Sequence, residues 1–138
     1  EEKQDKEEKV TSADLPAAVR ATIDKEIPGA SLEKIDKEEE HGKVVYDIEA
    51  KLNGKDVEMD IDGDGKVLTR EDAVSFASLP GVVRAAAEKY FGGPGDYKAS
   101  KEVEAGGKAS YEVEGKKAGK KVTLKYAEDG KQIEEEKE

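Results

Sequence analysis

At 138 residues the chain has room for one domain or two small ones, and 42% of it is charged against 35% hydrophobic. A formal net charge of -10 lacks the basic footprint that nucleic acid requires, and no apolar run approaches bilayer length, so neither nucleic-acid binding nor membrane insertion is expected. The absence of cysteine excludes disulfides, thiolate metal sites and thiol chemistry.

Leu, Ile, Val and Phe together make up just under a fifth of the residues, a share that with high net charge usually signals disorder. Here the apolar residues fall at regular spacings, which predicts a folded chain of marginal stability. The sequence opens at Glu1 rather than at methionine, so a trimmed preceding segment is expected. Residues 1–9 and Glu134 to Glu138 are charge runs and predict solvated tails.

The first helix is marked by Leu15, Val19, Ile23 and Ile27, one apolar residue every fourth position. Pro16 suits a first turn, where its missing N–H costs nothing, and Asp14 just upstream complements the free N–H groups. Pro28-Gly29 ends the segment. A weaker strand over Ser31 to Asp36 follows, with Leu32 and Ile35 out of phase, which predicts a bulge or a short pairing. The period then becomes two. Tyr46, Ile48 and Ala50 alternate with Asp47, Glu49 and Lys51, the pattern of a strand with one buried and one wet face. Asn53-Gly54 predicts a tight hairpin into the alternating Val57, Met59 and Ile61, and Asp64-Gly65 turns toward Val67 and Leu68.

The same order then returns. Leu79-Pro80-Gly81-Val82-Val83-Arg84-Ala85 repeats Leu15-Pro16-Ala17-Ala18-Val19-Arg20-Ala21 at a distance of 64 residues. Tyr111-Glu112-Val113-Glu114, Gly119-Lys120 and Asp129-Gly130-Lys131 repeat Tyr46-Asp47-Ile48-Glu49, Gly54-Lys55 and Asp64-Gly65-Lys66 at 65. Self-similarity at a fixed period predicts repeated architecture. The expected fold is α+β: a tandem repeat of a helix followed by a three- to four-stranded antiparallel meander, with the helices packed on one sheet face. Its parts are a charged N-terminal tail over 1–9, one repeat over 10–70, and a second over 71–138 that ends in an acidic tail. Tyr46, Tyr111 and Tyr126 share the phase of the apolar residues, so they are expected in the core rather than on a docking face.

The segments Leu15-Pro16-Ala17-Ala18-Val19, Ile27-Pro28-Gly29-Ala30, Tyr46-Asp47-Ile48-Glu49 and Asp64-Gly65-Lys66-Val67-Leu68 resemble the PepSY-like family, which is related in fold to the secreted β-lactamase inhibitor proteins. The resemblance spans about Asp14 to Leu68 and Ser78 to Ile133; the second repeat departs from it in carrying Gly92-Gly93-Pro94-Gly95 after its helix. It implies a periplasmic or secreted protein-binding module without catalysis, in some members inhibitory toward a peptidase or related enzyme. It implies too that an open sheet face can serve for docking. A monomer with an unidentified protein partner is expected.

An enzyme is not expected. His41, the only histidine, sits in an acidic turn beside Gly42, and no Gly-x-Ser-x-Gly or phosphate-binding loop occurs. Lys116, Lys117, Lys120, Lys121 and Lys125 cluster around one hairpin, as a contact patch for an acidic partner or as a solubilising tip that protects an edge. The alternative function is calcium binding. Residues 60–71 match the EF-hand loop pattern, with Asp60, Asp62 and Asp64 as carboxylate ligands, Lys66 giving its carbonyl and Glu71 binding through two oxygens. No other cofactor is expected. Against calcium, the residues before this loop alternate as a strand where an EF-hand needs a helix.

Overall fold

The computed structural model describes residues 6–138. It contains nine strands and two α-helices in an α+β arrangement, and the chain divides into two compact units between Glu71 and Asp72.

The first unit runs β1 (Lys6–Lys9), a 3-10 turn (Ser12–Asp14), α1 (Ala17–Glu26), β2 (Ser31–Glu40), β3 (Lys43–Leu52) and β4 (Lys55–Asp62). Strand β5 (Val67–Val74) then carries the chain across the boundary. The second unit continues with a 3-10 turn (Phe76–Ser78), α2 (Gly81–Phe91), β6 (Lys98–Glu104), β7 (Ala109–Lys117), β8 (Lys120–Ala127) and β9 (Gln132–Lys137). The pairings of β1 with β2, β2 with β3 and β3 with β4 are antiparallel, as are those of β6 with β7, β7 with β8 and β8 with β9.

Two-residue turns set these registers. His41-Gly42, Asn53-Gly54 and Ala118-Gly119 all take positive φ at both positions, the backbone that matches the twist of the strands they join. Ala118 holds this geometry at φ 54 without the side chain that makes Asn53 suited to it. Each unit has its own core. In the first, Leu15, Val19, Ile23 and Ile27 pack with Tyr46, Ile48, Met59 and Ile61; in the second, Leu79, Val83 and Ala87 pack with Tyr111, Val113, Leu124 and Tyr126. The three tyrosines are buried, as their phase requires.

Three expectations are corrected. Both charged ends form strands where solvated tails were expected. Lys6–Lys9 pairs with Asp36 to Glu39, and Gln132–Lys137 pairs along β8, with residues 1–5 of the first tail outside the described residues. An edge strand with no buried side chain carries no apolar alternation, so charge runs conceal it. Secondly, β2 runs past Asp36 to Glu40 and absorbs Glu38 to Glu40, while the bulge expected in it is present as a register shift between Leu32 and Lys34. Finally, Asp14 closes the 3-10 turn, accepting hydrogen bonds from the Thr11 amide and hydroxyl at 2.9 Å each, rather than serving α1.

Candidate functional site

In the first unit the even-numbered side chains of β3 and the odd-numbered ones of β4 meet α1, so their neighbours form the opposite face. Register assembles that face into rows. Asp36 lies opposite Asp47, and Asp47 opposite Asp60, so three carboxylates stand side by side on β2, β3 and β4. Lys34, Glu49 and Glu58 form the next row, and Glu38, Val45 and Asp62 the row on the other side. Like charges directly opposite are destabilising, so this arrangement opposes folding.

Its electrostatics reflect that. Burial pushes the Asp47 carboxyl up to about 8, with the Glu58 carboxyl that shares its proton and the nearby Asp60 and Glu49 adding to the effect. Burial also raises Glu58, and Glu38 rises through burial and then through repulsion from Asp47 and Asp60. Asp36 is only 3% exposed. Its Oδ2 lies 3.3 Å from the Lys34 ammonium, but Oδ1 of Asp36 and Oδ1 of Asp47 are both buried without a hydrogen-bond partner. Asp60 accepts a hydrogen bond from the Thr69 hydroxyl on β5 at 3.3 Å.

The residues of the expected calcium loop take other roles. Asp60 and Asp62 end a strand, and the Lys66 carbonyl accepts the Asp62 amide at 2.9 Å as the closing bond of a turn. Oδ1 of Asp62 accepts the amides of Asp64 at 2.9 Å and Lys66 at 3.0 Å. Glu71 stands on β5, well beyond the turn. Among the described residues no group of three or more His, Asp or Glu side chains is arranged to hold a metal ion. A strand entering the loop spreads its carboxylates along an extended backbone, whereas a helix would gather them.

What the turn does hold is α1. The Thr22 hydroxyl donates to the Gly65 carbonyl at 2.5 Å, and a Cβ at Gly65 would stand 2.7 Å from the Ala18 carbonyl oxygen. With φ at +89, glycine is required there on both counts. Gly130, its counterpart, approaches the Val82 carbonyl of α2, where a Cβ would stand at 3.0 Å. Arg70 completes the attachment of α1, donating to the Glu26 carbonyl at the helix end at 3.0 Å.

The lysine cluster of the second unit is largely engaged within it. Lys125 lies 2.9 Å from Glu102 and Lys121 lies 3.5 Å from Glu114. Lys117 donates to the Tyr90 carbonyl at 2.9 Å and sits 3.9 Å above the Tyr90 ring. His41 is exposed at the β2–β3 turn. The residues missed by sequence reasoning are Asp36, Asp47 and Glu58. Wet-face alternation marks Asp47 and Glu58 as exposed acids, but only register shows that they share a row or a diagonal.

A family model described as "Putative beta-lactamase-inhibitor-like, PepSY-like" matches residues 1–69 and, overlapping them, 45–134. No curated protein sequence matches the chain. Among solved structures, one described as "putative periplasmic proteins" from Bacteroides eggerthii DSM 20697 is similar at TM-score 0.71 and 14% identity, covering 89% of this chain and 88% of that one. A DUF2874 family protein from Bacteroides uniformis ATCC 8492 is similar at 0.67 and 20%, covering 89% of each chain. A BLIP-like protein from Bacteroides fragilis NCTC 9343 gives 0.64 and 20%, over 89% of this chain and 86% of that one. At these identities the likeness is one of fold.

Proposed function

This chain belongs to the PepSY-like family, and on that footing we propose that it is a non-catalytic protein-binding module of the periplasm. In this reading its two units are tandem copies of one helix-and-meander plan, and an open sheet face is its docking surface. The observation that carries the reading is one-sided coverage. In the first unit α1 packs on Tyr46, Ile48, Met59 and Ile61, while the opposite rows are built largely of charged side chains and belong to neither apolar core. A face that leaves carboxylates half-buried and crowded is costly to keep for solubility alone, since scattered exposed charges would serve as well.

The periplasmic placement draws on the description of the Bacteroides eggerthii structure, and the protein-binding role on the family's relation to inhibitor proteins. Docking over the entrance of an envelope enzyme, such as a peptidase, would make the module inhibitory. The experiment is affinity capture from native envelope extract with the immobilised chain, followed by activity assays on any captured enzyme with and without added module. Stoichiometric capture with a fall in that activity supports inhibition, and stoichiometric capture without it supports binding alone. Failure to capture any protein, or hydrolytic activity intrinsic to the chain, overturns the reading.

A further inference from the structure

We infer that the row Asp36, Asp47 and Asp60, with Glu58 beside it, receives an arginine side chain of the protein partner, a statement that rests on the binding-module reading and names its chemistry. Two observations point to a missing donor. Asp36, nine-tenths buried and more, keeps Oδ1 without a hydrogen-bond partner, and on the same face the directly opposed Asp47 keeps Oδ1 in the same condition. Buried acceptors without donors are rare in folded proteins and cost stability, so a ligand that supplies donors to both is favoured. The chain's own nearby cations do not fill the role: Lys9 lies directly opposite Asp36 on β1, yet Oδ1 of Asp36 has no partner, and Lys34 reaches only Oδ2, at 3.3 Å, and is 44% exposed.

In the second unit the corresponding row carries a cation of its own. Ser100, Glu112 and Lys125 lie opposite one another as Asp36, Asp47 and Asp60 do. There the chain supplies its own cation, with the Lys125 ammonium 2.9 Å from Glu102. Where the second unit places a lysine, the first places Asp60.

Arginine fits better than lysine or a metal ion. Carboxylates on adjacent strands stand about 5 Å apart, a spacing that a planar fork of five N–H donors spans and a single ammonium does not. A guanidinium is also more weakly hydrated, so entering a half-buried row costs it less. No metal-holding group exists among the described residues.

The test uses the full chain and a fluorescein-labelled hexa-arginine peptide, read by anisotropy at physiological salt, with hexa-lysine as comparison. Asp36→Asn and Asp47→Asn are expected to weaken hexa-arginine binding at least tenfold. Asp24→Asn, an exposed charge on α1, is expected to change it less than twofold, and hexa-lysine to bind at least fivefold more weakly. Should an Asn variant fail to fold, Asp60→Lys supplies the second unit's own cation and is expected to abolish binding. Equal weakening by Asp24→Asn, equal affinity for hexa-lysine, displacement by millimolar calcium, or no binding overturns the inference. Capture of the same envelope protein by wild type and by Asp60→Lys overturns it too, while leaving the binding-module reading intact. Capture of nothing by wild type removes that reading instead, and the peptide results still judge the row.

Discussion

In the first unit, β2, β3 and β4 set Asp36, Asp47 and Asp60 side by side; 65 residues on, β7 and β8 set Glu112 opposite Lys125. The cores behind these faces follow one plan, with Tyr46 answered by Tyr111, Ile48 by Val113 and Met59 by Leu124, all of them buried. Burial raises Asp47 and Glu112 alike, but Lys125 pulls Glu112 back down, whereas the neighbours of Asp47 all push the same way. Core and face are therefore separable. A meander tolerates a row of like charges on its wet side as long as the buried side is intact.

The largest effects test the claim that the cores are equivalent. Met59→Ala and Leu124→Ala each remove a fully buried side chain at matching positions, and each is expected to cost about 3 kcal/mol, read by denaturant unfolding. A loss in one unit only would show that the two cores are not equivalent. Next come the glycines that seat the helices. Gly65→Ala introduces both a strained φ and a clash with the Ala18 carbonyl and is expected to cost about 2 kcal/mol. Gly130→Ala meets its helix at the looser 3.0 Å and should cost less, about 1 kcal/mol.

The faces themselves carry smaller effects. The Asp47 carboxyl has its folded value raised from the usual 3.8 to about 8, so the folded protein holds that proton more tightly than the unfolded chain. Its contribution to stability is therefore complete below about pH 4 and is lost as the pH rises toward 8, amounting to about 1 kcal/mol once solvent screening is allowed for. Melting temperature measured across this window should fall with rising pH, and Asp47→Asn should flatten the slope. Asp60→Lys, which writes the second unit's charge into the first, should raise stability at pH 7.5 by about 0.5 kcal/mol. The smallest effect concerns residues 60–71. Millimolar calcium is expected to leave the melting temperature unchanged. Asp62→Ala should cost about 1 kcal/mol with or without calcium, because it removes the acceptor for the Asp64 and Lys66 amides.

The helices and central strands were legible because they bury a face. Val19 and Ile23, or Tyr46 and Ile48, announce their period through the side chains that must be hidden. Strands β1 and β9 were not legible, because Lys6–Lys9 and Gln132–Lys137 contribute backbone pairing and bury no apolar side chain. The acidic row was illegible for a related reason. Composition shows many carboxylates, but which of them are neighbours depends on register, and it is the two-residue His41-Gly42 turn, pairing Glu40 with Lys43, that brings Asp36 opposite Asp47. The Asp-Gly turns were read correctly as turns. Their use as seats for α1 and α2 depends on contacts that reach 43 residues back along the chain, as in Thr22 to Gly65, and no local pattern encodes these.

That long reach has a kinetic consequence. Apart from β1 with β2, which have α1 between them, the described strand pairings are hairpins, and three of the connecting turns need two residues only. Such hairpins close in about 1–10 μs, so β3 and β4, joined by Asn53-Gly54, can be zipped before α1 has found its seat. The bond from Thr22 to Gly65 is expected to form last, because its loop entropy is recovered only once the strands between are ordered. Loss of the Thr22 hydroxyl should therefore speed unfolding while leaving the refolding rate almost untouched.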